Sequence, residues 1–452
     1  MDPLILSRWQ FAITAGFHFV FPSFTIGLSV LIFVFFLLYM LKKEDVYRRI
    51  GNFLVKIFAV GFAVGVATGI VMELQFGANW SNFAEKAGGV LGGPLAMEAI
   101  FAFFLESTFL SILVFGEKKI SPLVRTISAF LVMIGTFISA FWILTVMTWM
   151  QIPTGYKIEN GKILLTDLWA ISFNTPNLIR FAHTVLACFI AGSGLVMGIS
   201  AYHFLKGRLA QEYMKAFKVS AIVFLIFSIL QIPMGTLSGE YVAEYQPLKL
   251  AMMEALWNTQ KSAAEPIVSF IDQENMTNTL EIGIPGLLSL LAYRDINAEV
   301  KGIKDLMKEY NLKKEELPNI PLLFWSFRVM VFLGIMFIII GIASVILYYT
   351  KILPNVKWFL YLLIAMIPLP IIANWAGWIV TEVGRQPWVI YGILKTKEAV
   401  SPLTGTEVGF TLFTFVGLYT ILLILWAFIT IKIARKGIQE EVISEISENK
   451  PL

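Results

Sequence analysis

The chain has 452 residues, 57% of them hydrophobic and 15% charged, with a formal net charge of +4. Ordinary globular domains carry about 25% charged residues, so a string of soluble domains is excluded and a polytopic membrane protein is expected. The basic residues lie in short loops rather than one patch, which argues against nucleic acid as a partner. The single cysteine, Cys188, excludes an intrachain disulfide or a multi-thiolate metal site.

A membrane-crossing helix needs about 20 mostly apolar residues. In chain order, such runs fall at roughly 11–40, 52–74, 94–116, 126–150, 177–205, 219–238, 322–350, 357–380 and 407–431, nine in all. They are continuous rather than alternating, so an all-α fold of nine transmembrane helices is expected and a barrel is not. The start, MDPLILSRWQ, lacks the basic stretch and small-residue cleavage site of a secretory signal, so the first run is expected to be retained.

Lysine and arginine mark the cytoplasmic loops of membrane proteins. Lys42, Lys43, Arg48 and Arg49 follow the first run; Lys118, Lys119 and Arg125 the third; Lys206, Arg208, Lys215 and Lys218 the fifth. Lys351 and Lys357 flank the turn after the seventh, and Lys432, Arg435 and Lys436 follow the ninth. The alternate short loops hold only Lys86, then Lys157 and Lys162, then Arg385, Lys395 and Lys397. Sixteen against six places the N-terminus outside and the C-terminus in the cytoplasm.

Residues 239–321 differ from the other connections, with more than 80 residues of which 13 are acidic and 8 basic. Long connections inside compact proteins are usually lids or binding elements. Within this one, 297–310 reads as a helix with Val300, Ile303, Leu306 and Met307 on one side. The tail IQEEVISEISENKPL is polar and expected to fray.

Ionisable side chains in a bilayer are costly, and each needs a reason. His18 lies about two turns into the first run and His183 near the start of the fifth; each reads equally as a packed histidine or as a ligand. His203, 20 residues after His183 and so about 30 Å away along a helix, reads as an interfacial histidine. Glu98 and Glu106 share the third run. Eight residues of α-helix turn about 80° and rise about 12 Å, which puts them on neighbouring faces at different depths. They read either as neutral hydrogen-bonded acids or, preferably, as a proton path or ligand pair. Glu73, at the end of the second run, is explained by capping. Glu382 and Arg385 have the spacing of an i,i+3 ion pair, and Met330 alone would be core packing.

Depth joins these weak signals. Runs 1, 3, 5 and 7 head inward, and His18, Glu98, His183 and Met330 lie in their first halves. Run 8 heads outward, with Glu382 at its far end. All five fall in the outer half of the membrane, beside the long loop; histidine, methionine and carboxylate are all possible iron ligands, and a His/Met pair is a known way to hold a six-coordinate haem. Glu106 alone points deeper. Redox chemistry near the outer face, with a proton route from inside, is the pattern expected.

The strings SRWQFAITAGFHFVFP, GGPLAMEAIFAFFLESTFL, WMQIPTG, QPLKLAMMEA, FRVMV and GWIVTEVGRQPW, in that order, make the chain resemble subunit I of the cytochrome bd quinol oxidases along essentially its whole length. The resemblance implies oxidation of membrane quinol and reduction of O2 to water, with two haems b and one haem d, or a third haem b in its place. It implies that His183 and Met330 are the axial pair of a low-spin haem b. His18 would serve the oxygen-reducing haem and Glu382 the high-spin haem b. Glu98 resembles the carboxylate beside these haems, and Glu106 with Ser107 part of a proton path. Arg328 and Arg385 would offset propionate or carboxylate charge, and Trp378 resembles the aromatic near the haems. Lys249 and Glu254 resemble the quinol-oxidation residues. One departure is Met147, where the family often has Asn.

The implied organisation is a first helical block, 1–238, carrying a high-spin haem site, then the quinol-binding loop, 239–321. A second block, 322–435, completes the haem sites, and a cytoplasmic tail occupies 436–452. The resemblance further implies a second membrane subunit and leaves room for a small accessory one, in a prokaryotic cell membrane. It also implies quinol protons released outside and oxygen protons drawn from the cytoplasm through Glu106, without a pump. A secondary transporter would also show many spans and buried acids, but its sites would lie near the midplane, with no need of His, Met and Glu at one face. A paralogue that has lost oxygen reduction is disfavoured by the joint presence of all these residues.

Overall fold

The computed structural model describes residues 2–116 and 119–448. Lys118, counted above among the loop cations, and residues 449–452 of the tail lie outside the described residues. The first half contains helices α1 (Pro3–Lys42), α2 (Asp45–Ala78) and α3 (Ser81–Met97), a π-helical turn (Glu98–Ala102), then α4 (Phe103–Phe115) and α5 (Pro122–Gln151). A hairpin of β1 (Tyr156–Glu159) and β2 (Lys162–Leu165) and the short α6 (Leu168–Ser172) lead to α7 (Thr175–Leu205) and α8 (Gln211–Tyr245). The long loop follows, with α9 (Pro247–Met253), β3 (Gln260–Lys261), β4 (Glu265–Asp272), β5 (Thr277–Ile284), α10 (Leu287–Tyr293), β6 (Glu299–Val300) and α11 (Ile303–Glu309). The chain ends with α12 (Ile320–Tyr349), α13 (Lys357–Ala365), α14 (Leu369–Val383), β7 (Trp388–Ile390), β8 (Leu394–Lys395), α15 (Thr396–Ala399) and α16 (Gly405–Glu448).

Among the described residues, nine helical segments are long and apolar enough to cross a membrane, with α3 to α4 and α13 to α14 each forming one span. Four of them open with the same local chemistry. Asp2, Ser121, Asn174 and Asn319 each accept a backbone N–H of the first turn of α1, α5, α7 and α12, and a proline sits at the first or second helical position. A polar cap and a pre-set φ start a helix where its own N–H groups are unpaired.

The helices overrun the apolar runs. The third span starts at Ser81 because Phe83, Ala87, Val90 and Leu91 continue a buried face against Trp149, Ile163, Ile171 and Ile390. Glu73 is therefore exposed within α2, five residues before its end, and caps nothing. The α8 helix runs to Tyr245, and α12 starts at Ile320. The loop between them has its own hydrophobic core, in which Leu248, Met252, Leu288, Ile303 and Leu306 pack on Leu323 and Phe324 of α12. Part of the helix expected over 297–310 is a strand instead: Val300 pairs with Gln260, and only Ile303–Glu309 is helical. Ile303 and Leu306 are buried as expected.

His203, in the last turn of α7, is fully buried within the protein. Its ring stacks on Tyr213 at 4.0 Å and Nε2 lies 2.9 Å from the carbonyl of Ala434. Together with Tyr213, whose Oη accepts from the backbone N–H of Ile438, it holds α16 at its break at Gly437. The polar tail expected to fray is helical in backbone to Glu448.

The α1 and α7 helices meet backbone to backbone. A side chain at Gly27 would strike the carbonyl of Cys188 and the backbone of Gly192, and one at Gly192 would strike Gly27. Glycine is required for an approach that close.

Candidate functional site

His18 on α1 faces α2, and its Nδ1 lies 3.0 Å from Thr68 Oγ1. The Thr68 hydroxyl spends its one hydrogen on the carbonyls of Val64 (2.9 Å) and Gly65 (3.0 Å). It therefore accepts from His18, which fixes the proton on Nδ1 and leaves Nε2 with a bare lone pair. That is the state in which imidazole binds a metal, oriented by a partner on its other nitrogen.

His183 on α7 is half-buried, with Nδ1 sealed and without a hydrogen-bond partner among the described residues. Met330 on α12 lays its sulfur over Gly377 of α14, where a Cβ would come within 2.9 Å of Sδ. The neighbouring Trp378 packs on Phe11 and Phe19 of α1 with ring centroids 6.5 and 5.7 Å away. The same helix is tied to α1 by Asn374, which donates to Ser23 Oγ (3.0 Å), and by Trp375, which donates to the carbonyl of Gly16 (2.7 Å).

Glu382 forms the expected ion pair with Arg385, and its second oxygen lies 3.4 Å from Gln151 Nε2. Gln151, the last residue of α5 and fully buried, turns its carbonyl oxygen to Lys249 Nζ (2.5 Å) and Gln246 Nε2 (3.0 Å). Lys249, only 2% exposed, also donates to Gln246 Oε1 at 2.7 Å. This chain of amides joins the loop to the helix end that carries Glu382. Neither Gln151 nor Gln246 was singled out by sequence, although both stand inside the strings WMQIPTG and QPLKLAMMEA. Burial, then the nearby guanidinium groups of Arg180 and Arg385, hold Lys249 well below the ordinary lysine range.

Three buried cations, Arg180, Arg385 and Lys249, lie near one another, and the carboxylate of Glu382 is beside the last two. Nε and Nη1 of Arg385 and Nε of Arg180 have no partner among the described residues. Buried guanidinium N–H groups left unpaired are costly, and a surplus of positive charge here suits an anionic ligand. A bare imidazole nitrogen, a thioether sulfur, a carboxylate and unpartnered guanidinium groups make up the donor set that a haem with its propionates requires.

Glu254 is 2% exposed at the end of α9 and pairs with Arg328. The same guanidinium reaches Glu265 Oε1 at 3.3 Å, the carbonyl of Met253 at 2.7 Å and that of Pro266 at 2.6 Å, and lies 3.9 Å over the ring of Phe324. Arg328 thus serves the carboxylates of the loop. Burial raises both acids, and Glu265, also raised by the adjacent charge of Glu254, is pushed up to about 8. Glu265 was missed by sequence; it is one of 13 acids in the loop, and only the fold of β4 back over α12 singles it out.

Glu98 opens the π turn. The extra residue of such a turn takes up about 100° of helical rotation, which offsets the 80° expected between Glu98 and Glu106. The two carboxylates share one side, toward α5, rather than neighbouring faces. Glu98 accepts from Ser139 Oγ at 2.7 Å, and Glu106 lies against Gly135, four residues earlier, where a Cβ would meet its Cγ at 2.7 Å. Ser107 is on the outward face and donates to the carbonyl of Phe103 at 2.7 Å. Met147 is half-buried, and the neighbouring Thr145 and Thr148 bond instead to Asn177 at 2.9 and 3.0 Å.

The chain as a whole is similar to known proteins. The chain is 37% identical over 446 residues to "Cytochrome bd ubiquinol oxidase subunit 1" of Bacillus subtilis, covering 98% of this chain and 95% of that one. It is 34% identical over 498 residues to "Cytochrome bd-II ubiquinol oxidase subunit 1" of Escherichia coli, covering 96% and 97%. The solved bd oxidase of Geobacillus thermodenitrificans superposes with a TM-score of 0.87 at 30% identity, covering 96% of this chain and 99% of that chain. The family described as "Cytochrome bd terminal oxidase subunit I" matches residues 6–438. With nine helical segments long and apolar enough to cross a membrane among the described residues, the chain is a multi-pass membrane protein and belongs to the cytochrome bd terminal oxidase subunit I family.

Proposed function

We propose that this chain is the haem-carrying subunit of a quinol:O2 oxidoreductase that oxidises membrane quinol at the folded loop and reduces O2 to water at its buried haem sites. Haem, when bound, supplies the iron that relays electrons and takes up O2. His183 and Met330 would hold the low-spin haem b. His18, through Nε2, would hold the oxygen-reducing haem, a haem d or a third haem b, and Glu382 the high-spin haem b. Arg385, with two N–H groups unpartnered, would receive a propionate, and Trp378 would flank the haems. Glu98 would lie beside them.

The observation that carries this reading is the unbroken contact from Lys249 through Gln151 to Glu382. It sets the loop's cation against the carboxylate proposed as a haem ligand. In the loop, Lys249 stabilises negative charge developing on quinol oxygen and Glu254 accepts its proton. Glu106, with Ser107 beside it, passes protons toward the haems.

The basic loops support an N-terminus outside and a C-terminus in the cytoplasm, so quinol protons leave outside and oxygen protons enter from the cytoplasm, with charge separated without a pump. The segments 1–238, 239–321, 322–435 and 436–452 would then be the first haem block, quinol loop, second haem block and cytoplasmic tail. A second membrane subunit, with or without a small accessory one, completes the complex.

The test is a reduced-minus-oxidised visible spectrum of the purified complex, repeated under carbon monoxide. Low-spin b bands with a far-red chlorin band that shifts under carbon monoxide support haem d. Bands of b type alone, still perturbed, support the haem b variant, and absence of haem refutes the ligand assignments. His183→Ala is expected to remove the low-spin spectrum selectively, and an unchanged spectrum refutes that assignment.

A further inference from the structure

We infer that Glu265 is the proton exit of the quinol site, taking the proton from Glu254 and releasing it to the outer water. The inference rests on the reading that quinol is oxidised at Lys249 and Glu254.

A carboxylate that accepts a proton on every turnover must also lose it, and Glu254 is sealed, with its side chain 2% exposed. The acid in hydrogen-bond contact with it is Glu265, whose side chain is 18% exposed. Both face Arg328 of α12, the one cation paired with either among the described residues. One guanidinium between two acids stabilises a state with a single shared proton, because two adjacent carboxylates resist ionising together. Arg328 Nη2 pairs closely with Glu254 and stands 3.3 Å from Glu265 Oε1, which favours the charge on Glu254 and the proton on Glu265. Glu254 is then the ionised member, facing quinol, and Glu265 the protonated member, facing outward.

The step balances without a change in the pair's charge. A quinol O–H bond breaks and its proton goes to Glu254. The proton already on Glu265 leaves to the outer water, and the new proton then crosses from Glu254 to Glu265, which returns the pair to its single proton. The second quinol proton follows the same route, and the two electrons, one released with each proton, would pass to the haem held by the oxidase. The position of Glu265 on β4, next to Pro266, whose carbonyl Arg328 also binds, fixes the carboxyl against the guanidinium.

The decisive variant is Glu265→Gln in the intact oxidase complex. Glutamine keeps a neutral donor toward Glu254 but transmits no proton, so a role limited to hydrogen bonding would survive the change. The expected result is a fall in kcat for quinol of at least about tenfold, with KM nearly unchanged. Oxygen consumption driven by tetramethyl-p-phenylenediamine, which releases no proton at the loop, should be normal. Glu265→Asp, which keeps an ionisable group, is expected to retain far more turnover than Glu265→Ala.

Normal quinol kcat in Glu265→Gln, beside an inactive Glu254→Gln, overturns the inference and leaves the quinol site standing. Equal turnover of the Asp and Ala variants also overturns it. If Glu254→Gln itself is fully active, the reading of the loop as the quinol site fails, and this inference with it.

Discussion

Lys249 and Gln151, 98 residues apart in sequence, are bound side chain to side chain at 2.5 Å, and both are withdrawn from solvent. A buried ammonium has three hydrogens to satisfy, and two amide oxygens, of Gln151 and Gln246, take up two of them. On the proposed reading, the third, with no further partner among the described residues, would meet a quinol oxygen.

Gln151→Leu is expected to strand one of those hydrogens and to remove the amide beside Glu382. An unsatisfied buried donor costs about 1–3 kcal/mol, so Tm of the detergent-solubilised complex should fall. If the same amount is lost from the quinol-oxidation transition state, kcat/KM drops about ten- to a hundredfold. Unchanged thermal stability and quinol kinetics would remove the amide chain from the mechanism.

The charge on Lys249 should be lost at a lower pH than that of a surface lysine, because burial beside two guanidinium groups disfavours the ammonium. An interaction that needs this charge is present on the acid side and fades as pH rises, before the ordinary lysine value of about 10.4. Lys249→Arg, which stays protonated, is expected to move the alkaline rise of the quinol KM upward or abolish it. If the rise persists at the same pH, another group titrates there.

Thr68→Val removes the acceptor that fixes the tautomer of His18 while keeping the side chain's shape. Loss of such a supporting bond typically costs about 10- to 100-fold in metal affinity. The haem-to-protein ratio should fall through loss of the haem at His18, with the low-spin spectrum intact. Full occupancy would show that the ring needs no such support.

Glu106→Gln should slow oxygen reduction with haem content unchanged, by about a hundredfold if Glu106 is the sole proton donor on its route. Turnover equal to the unaltered enzyme would discard the proton path through α4.

The spans were legible because each needs a long apolar run, whereas the caps and prolines that open four of them were recognised only in the structure. Helix ends were less legible. The Ser81–Met97 stretch is helical because its apolar face has a partner in β2, α6 and β7, which hydropathy does not register. His18, His183, Met330 and Glu382 stood out as rare polar or sulfur groups at one depth. Gln151 did not, since an uncharged amide at a helix end carries no signal until its partners are known. Glu265 is set apart from the other loop acids only by a hairpin and an arginine 63 residues away, and the π turn at Glu98 changes which way a carboxylate points without leaving a mark in composition.

The glycine crossing of α1 and α7 has a consequence for the electrical side of turnover. Gly27 lies nine residues after His18, and Gly192 lies nine residues after His183. The two spans run in the same direction from a shared contact point, so both rings stand about 13 Å from it along parallel helices and occupy closely similar depths. On the proposed ligation, an electron tunnelling between the groups these histidines hold would travel parallel to the membrane plane. The transmembrane voltage would then do almost no work on it, and the voltage dependence of turnover would report the movement of protons.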